Sequence, residues 1–589
     1  MRLARLIGLS SLVLGTLVSH ASVVRSQQSL SVIYPPVSHQ TTYDSIFLIG
    51  TSEAGETVTL NGKQINKSPQ GHFAPSVSLE LGANKFVLRQ NSQELEITIT
   101  RISNEPKVPS QLGFAPDSLV PQENITRLVG ETICFGAVAL PEAQVMVNLS
   151  DQQIPLLPEN KSINLPANVA VLVGQNQPIT ATSLGKYQGC HQFSQPGNYG
   201  QPEFTASLQG KKVTEVGRST IKIANPGDLP VIEVITDSGV ARTGASTNYS
   251  RLTPLPQGTR AKVTGQEGEW LRLDYGGWLK TSETKALASN TQTNSIIRSI
   301  TSQQLEQETE IIFPLQTAVP VSIQQHSHSI TLRLHNTIAQ TDTIRLDNNP
   351  LIERLDWHQG AYNTIDYTFQ LKTNQQWGYD LRYEETNLIF SLRHPPQLSQ
   401  NSRLPLQGMS IVLDPGHGGE ELGARAPTGY PEKTINLLIS QLLEKELASL
   451  GAIVYLTRDS DTTLSLKERV SMINELKPNL ALSIHYNALP DNGDAEQTQG
   501  VSMFWYHPQA HSLAVSLHDH LVQDLNRSPA GVFWNNLALT RPQIAPSVLL
   551  ELGFMINPWE FEWISDREEQ IKLAKAIAQG IVDWRYKQE

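Results

Sequence analysis

Short apolar runs broken by turn residues fill the first two thirds of the chain. Ser45-Ile46-Phe47-Leu48-Ile49-Gly50 and Glu56-Thr57-Val58-Thr59-Leu60 predict strands, and Asn61-Gly62 predicts a tight hairpin turn. The same pattern continues through Asn84–Leu88, Val145–Leu149, Glu310–Leu315, Ser329–Leu334 and Leu388–Leu392. From Met409 the period changes. Ser410–Leu413 predicts a buried strand, and Glu432–Leu450 a helix with Ile435, Ile439, Leu442, Leu443 and Leu447 on one face. Strands at Ile453–Leu456, Leu480–Ile484, Val501–Tyr506 and Val548–Leu552 then alternate with helices at Leu466–Leu476, Pro508–Leu525 and Glu568–Trp584. The expected fold class is a multidomain chain: all-β modules (sandwiches and a small barrel), then a C-terminal α/β domain whose central sheet is flanked by helices.

Polar punctuation divides the chain into 30–103, 104–228, 229–288, 295–396 and 409–587, with linkers near 287–295 and 395–408. The first block resembles bacterial immunoglobulin-like modules, and the second reads as a further β-sandwich. The third has Gly258 for a tight turn and Trp270 and Trp278 for a small core. It resembles the bacterial Src-homology-3-like barrel. The fourth, with Trp377-Gly378-Tyr379, resembles AMIN-type domains.

Composition narrows the function. Of 589 residues, 39% are hydrophobic and 17% charged, enough to build cores. The net charge is −11, and residues 409–589 carry −9 of it, with 14 basic against 23 acidic residues. No basic face dominates, which argues against a nucleic-acid binder. Arg2 and Arg5, the apolar run Leu6–Val18, and Ser19 and Ala21 form the three regions of a signal peptide over 1–21. The run is too short to span a bilayer, and no transmembrane segment is expected after signal removal. The expected location is outside the cytoplasm, in the periplasm or cell envelope. Cys134 and Cys190 allow one disulfide in an oxidising compartment; two buried thiols are the alternative.

The candidate chemistry lies at the ends of the C-terminal strands, where α/β sheets place their sites. Asp414-Pro415-Gly416-His417-Gly418-Gly419 follows the first strand, and Glu432 opens the long helix. His485 follows Leu480–Ile484, and Glu551 lies near the end of Val548–Leu552. Two imidazoles and a carboxylate form a catalytic zinc set with a fourth position left for water. His417, Glu432 and His485 are the expected ligands of one zinc ion, with Glu551 as general acid and base. Read alone, Glu432 could equally favour a helix start through the macrodipole.

Asp414–Gly419, Glu432-Lys433, Ser483-Ile484-His485-Tyr486-Asn487-Ala488 and Glu551–Pro558 together resemble the zinc-dependent N-acetylmuramoyl-L-alanine amidases of the Amidase_3 family. The resemblance covers about 409–587. It implies hydrolysis of the amide between N-acetylmuramic acid and the L-alanine of the peptidoglycan stem, with the ligand and catalytic roles given above. Asn487 and Arg541 are further candidates for substrate contact. Tyr486 stands where the family has a small residue, and reads as a packed aromatic. Arg458-Asp459 and Arg469 recur in the family and are expected to brace the sheet. His507 and His511 face no obvious carboxylate partner, and neither they nor the neighbouring His518 and His520 are expected ligands, nor are His326 and His328. The polar loop Leu489–Gly500 is too short for a stable helix, so the zinc site should be open to solvent. Peptidoglycan is the expected partner, together with a cell-wall or divisome activator, and the β modules are expected to hold the wall through several weak contacts. An inactive wall-binding scaffold, or a zinc peptidase cutting within the stem, are the alternatives.

Overall fold

The computed structural model describes residues 29–588 except 104–106, 160, 174–175, 183, 362 and 398–400. The expected signal peptide lies outside the described residues. No helix among the described residues is long and apolar enough to cross a membrane.

β-structure fills the chain as far as Arg393. In the first block, Asn61 and Gly62 both take positive φ, 49° and 81°, and close the hairpin in which Leu60 pairs with Lys63. The next block holds a six-stranded sheet in which Cys134 and Cys190 are register partners joined by a disulfide. Strand pairing crosses the expected boundary at 228: Ile125 and Thr126 pair with Glu267 and Gln266, fusing the second and third blocks into one eight-stranded sheet. The fourth block folds a five-stranded and a four-stranded sheet around one core that includes Phe313, Tyr367, Phe369 and Phe390.

Trp270 and Trp278 are buried, and their rings face cations. Arg242 and Lys280 stand over Trp270, and Arg127 and Arg272 over Trp278. A wall contact through these rings is therefore not on offer. Both side chains are shielded from solvent, and Arg127 of the second block stands against Trp278.

The C-terminal domain is built from β1 (Ser410–Pro415), α1 (Glu432–Ser449), β2 (Ile453–Leu456), α2 (Leu466–Leu476), β3 (Leu480–Asn487), β4 (Val501–Trp505), α3 (His511–Asp524), β5 (Pro529–Trp534), β6 (Ser547–Phe554), α4 (Pro558–Ile564) and α5 (Arg567–Tyr586). The sheet order is β2-β1-β3-β6-β4-β5. β1, β2, β3 and β6 are parallel, β4 runs antiparallel to β6, and β5 runs parallel to β4, so the sheet is mixed. The pattern reading misses β5, a half-buried edge strand begun by Pro529, and α4, which is capped by the Asn557 side chain. Helix α2 starts at Ser465 with a reciprocal capping box to Glu468. Apolar residues of β1, β3, β6, α1, α3 and α5 make one core.

The upstream blocks pack onto this domain. Trp377 enters its core against Trp584, with ring centroids 5.7 Å apart. Next to it, a Cβ on Gly378 would stand 2.0 Å from the Ile544 carbonyl oxygen, so only glycine permits this approach. Tyr379 N–H donates to Gln543 O at 2.9 Å and Arg393 donates to Ile544 O at 3.0 Å.

Candidate metal centre and its surroundings

The carboxyl ends of β1, β3 and β6 face the N-terminus of α1, and four ionisable side chains meet there. His417 Nε2 lies 3.2 Å from Glu432 Oε2, and His485 Nδ1 lies 3.1 Å from Glu432 Oε1. The two imidazole rings are 5.0 Å apart and nearly perpendicular. One ligand atom from each of the three residues lies within 4.8 Å of the others, and no other such group occurs among the described residues. Metal bonds of 2.0–2.2 Å at tetrahedral angles separate ligand atoms by roughly 3.3 Å, close to the spacings found here.

Local backbone makes this convergence possible. His417 itself adopts a left-handed conformation, φ 59°. A Cβ on Gly416 would stand 2.1–2.5 Å from ring atoms of His485. One on Gly423, where φ is +69°, would stand 2.4 Å from Glu432 Oε2 and 2.7 Å from His417 Cδ2. These two glycines are the space in which the ligands sit.

Glu432 is 2% exposed and fully engaged. Its Oε1 accepts from Tyr486 N–H and Asn436 Nδ2, and its Oε2 from Ala424 N–H at 2.8 Å. Burial alone would raise this carboxyl, but hydrogen bonds and charge from His417 and His485 outweigh it and hold the group far below the ordinary carboxylate range. For His417 burial works downward, yet the bond to Glu432 and its charge raise the imidazole overall. The side chains of His417 and His485 keep 28% and 18% exposure, so the centre is reachable from solvent. The 488–500 loop contains turns and no helix, as its length suggests.

Below the centre lies a buried ion pair. Asp414 accepts from Arg469 at 2.6 Å, from Thr457 Oγ1 and from Ser483 Oγ. Burial pushes its carboxyl up, but the Arg469 charge and these three donors bring it below the ordinary range. Arg469 also donates to His417 O at 2.7 Å, and Arg458 to Pro415 O and Gly416 O. The two arginines therefore fix the backbone that presents His417.

Glu551 stands in register with His485 on the adjacent parallel strand. Its Oε2 is shielded from solvent and has no hydrogen-bond partner. Burial, with the Glu432 charge added, pushes this carboxyl well above its ordinary value. Asn487 ends β3 beside Phe554, and its Oδ1 accepts from Ala488 N–H. Tyr486 is 2% exposed and packs in the core.

Arg541 does not join this group. It precedes β6, at the end of the strand opposite Glu551. There its guanidinium donates to Leu252 O at 2.6 Å and Asn536 Oδ1 at 2.9 Å, and lies 4.6 Å from the Tyr506 ring centroid. Its charge joins the third block to the C-terminal domain. The supporting Asn436 was missed, although its place one turn after Glu432 is a readable i, i+4 signal.

Residues 411–583 match the family described as N-acetylmuramoyl-L-alanine amidase, Amidase_3. The probable cell wall amidase LytH of Staphylococcus aureus is 36% identical over 179 residues, 30% of this chain and 58% of the relative. The chain thus spans little more than half the length of the curated relatives it matches. Among solved structures, the catalytic domain of CwlV, an N-acetylmuramoyl-L-alanine amidase from Bacillus (Paenibacillus) polymyxa var. colistinus, is 30% identical over 31% of this chain and 99% of that one, with a TM-score of 0.29. The N-acetylmuramoyl-L-alanine amidase AmiC2 of Nostoc punctiforme is 28% identical over 31% of this chain and 98% of that one, also with a TM-score of 0.29.

Proposed function

With residues 411–583 a domain of the Amidase_3 family, we propose that the chain is a zinc-dependent amidase that cuts peptidoglycan between N-acetylmuramic acid and L-alanine. The observation that carries the reading is the meeting of His417, Glu432 and His485 with Glu551 in register beside them. The donor set suits zinc: two imidazole nitrogens, a carboxylate held ionised, and solvent access for a fourth ligand.

Bound there, zinc supplies a water that ionises near neutral pH and a Lewis acid for the amide carbonyl. The protein's part is proton traffic and position. Glu551 takes the proton of the attacking water and passes it to the departing nitrogen, so its carboxyl ends as it began. The unpartnered Oε2 and the raised proton affinity suit a group that must hold a proton between two steps. Asn436, Tyr486 N–H and Ala424 N–H orient the Glu432 carboxylate.

The 1–21 segment reads as an export signal, which places the reaction in the periplasm or cell envelope on peptidoglycan as substrate, with an envelope activator as a further partner. Mass spectrometry of a digest of purified peptidoglycan tests the reading. Released intact stem peptides with a free L-alanine N-terminus are expected; fragments cut within the stem would overturn it.

A further inference from the structure

The strand run Ser45–Gly50 is apolar at successive positions instead of alternating, a pattern that belongs to strands covered on both faces. The structure supplies the two covers. Ile46 and Leu48 point into the core of the first β block, while Phe47 and Ile49 point out of it into a second cluster with Ala495, Phe554 and Ile556 of the C-terminal domain. Ala74, Tyr34, Ala424 and Leu489 complete that cluster, and its central side chains are at most 4% exposed. Polar contacts ring it. Tyr34 Oη and His39 Nε2 both meet the Asp491 carboxylate, Gln70 N–H donates to Glu562, and the His72 ring lies edge-on to Phe561.

The segments held this way border the metal centre. Ala424 packs in the cluster, its N–H donates to Glu432 Oε2, and its carbonyl accepts from Glu432 N–H at 2.9 Å. Ile33 lies over Gly429 in the same loop, with its Cδ1 3.6 Å from where a Cβ would stand. Phe554 ends the strand that carries Glu551, and Asp491 and Ala495 lie in the loop that follows Asn487.

We propose that the 30–102 block is an intramolecular brace for the metal centre. Docked on Ala424, Phe554 and the 488–500 loop, it fixes the Ala424 N–H that orients Glu432 and so raises the centre's affinity for zinc. Its residues touch neither metal nor substrate and act through position. The inference rests on the zinc reading above.

Two full-length variants attack the contact from opposite sides: Phe47→Asp on the brace and Ala495→Arg on the loop. Undocking is scored by placing a protease site at 104–106 and asking whether the cut 30–102 piece co-elutes with the remainder. In wild type it should co-elute, and in the variants it should separate. Zinc affinity is then measured by chelator competition. The expected result is a weakening of about 10-fold or more in both variants, the scale of lost support around a ligand, with hydrolysis recovering as zinc is raised. Undocked variants that bind zinc as tightly as wild type would overturn the proposal. A wild-type protein that takes up no zinc would overturn the metal reading itself, a separate outcome.

Discussion

Glu551 and His485 are direct partners in the register of the two central parallel strands. This places an unpartnered carboxyl oxygen beside a candidate metal ligand without a hydrogen bond to it. The two roles are therefore separable. Glu551→Gln should keep stoichiometric zinc and lose hydrolysis by about 10²- to 10⁴-fold, the range for loss of a general acid–base. Metal analysis together with turnover on a soluble muropeptide checks this; loss of zinc alongside activity would assign Glu551 to the metal instead.

Asp414 and Arg469 are 1% and 3% exposed and neutralise each other under His417. Asp414→Asn leaves a buried guanidinium without its counter-charge, a change that costs about 3–5 kcal/mol. A clear drop in the urea midpoint is expected. Replacement with no stability change would show that water already screens the pair.

The position of the candidate site was legible in the sequence because the pattern puts its residues at strand ends and at the first residue of α1, while their roles came from the resemblance of the surrounding motifs and not from spacing. His417, Glu432 and His485 meet where the alternation of β1, α1 and β3 places them. What stayed hidden was tertiary. The boundary at 228 gives no sign that Thr126 pairs with Gln266. Nothing near Arg541 says that one of its partners lies about 290 residues earlier, at Leu252. The 45–50 run did carry a signal, since its missing alternation asks for two covers, but which surface supplies the second cannot be read from a single strand.

The new place of Arg541 makes its own prediction. Arg541→Ala removes donors to Leu252 O and Asn536 while the metal centre at the far end of β6 is untouched. KM for a soluble muropeptide should stay within about two-fold of wild type, while stability falls by about 0.5–1.5 kcal/mol for each hydrogen bond lost to these part-buried acceptors. A large rise in KM with unchanged stability would restore the substrate-facing role.

His335 makes stability depend on pH. Its ring packs on Tyr275, at 5.0 Å between centroids, and its Nε2 meets Ser322 Oγ, linking the third and fourth blocks. Burial, reinforced by Arg333, lowers its pKa from 6.5 to about 4. A depressed histidine favours the neutral ring in the fold, so stability is intact above 6.5. It falls as the pH drops from 6.5 toward 4, because the unfolded chain takes up the proton first. The full span is on the order of 3 kcal/mol. Urea midpoints of this unit at pH 7.5 and 4.5 should differ in wild type and differ less in His335→Gln; an equal difference in both would place the titrating group elsewhere.

The brace contact bears on how the catalytic domain behaves alone. Removing everything before 409 would bare Phe554 and Ile556, which are at most 4% exposed in the full chain, and would also leave Phe561 without His72 and Trp584 without Trp377. The first contacts come from the 30–102 block and the last from the fourth block, so the loss is of two contacts and not one. Large apolar areas on a free domain drive self-association. The 409–589 fragment should therefore bind an apolar dye and scatter light at concentrations where the full chain is monodisperse. A fragment that joins residues 30–102 to 409–589 should repair the first surface only, leaving partial dye binding. A bare 409–589 fragment that stays monodisperse and dye-negative would mean its exposed strands and loops refold over these residues, and that the upstream blocks are dispensable for the domain's own surface.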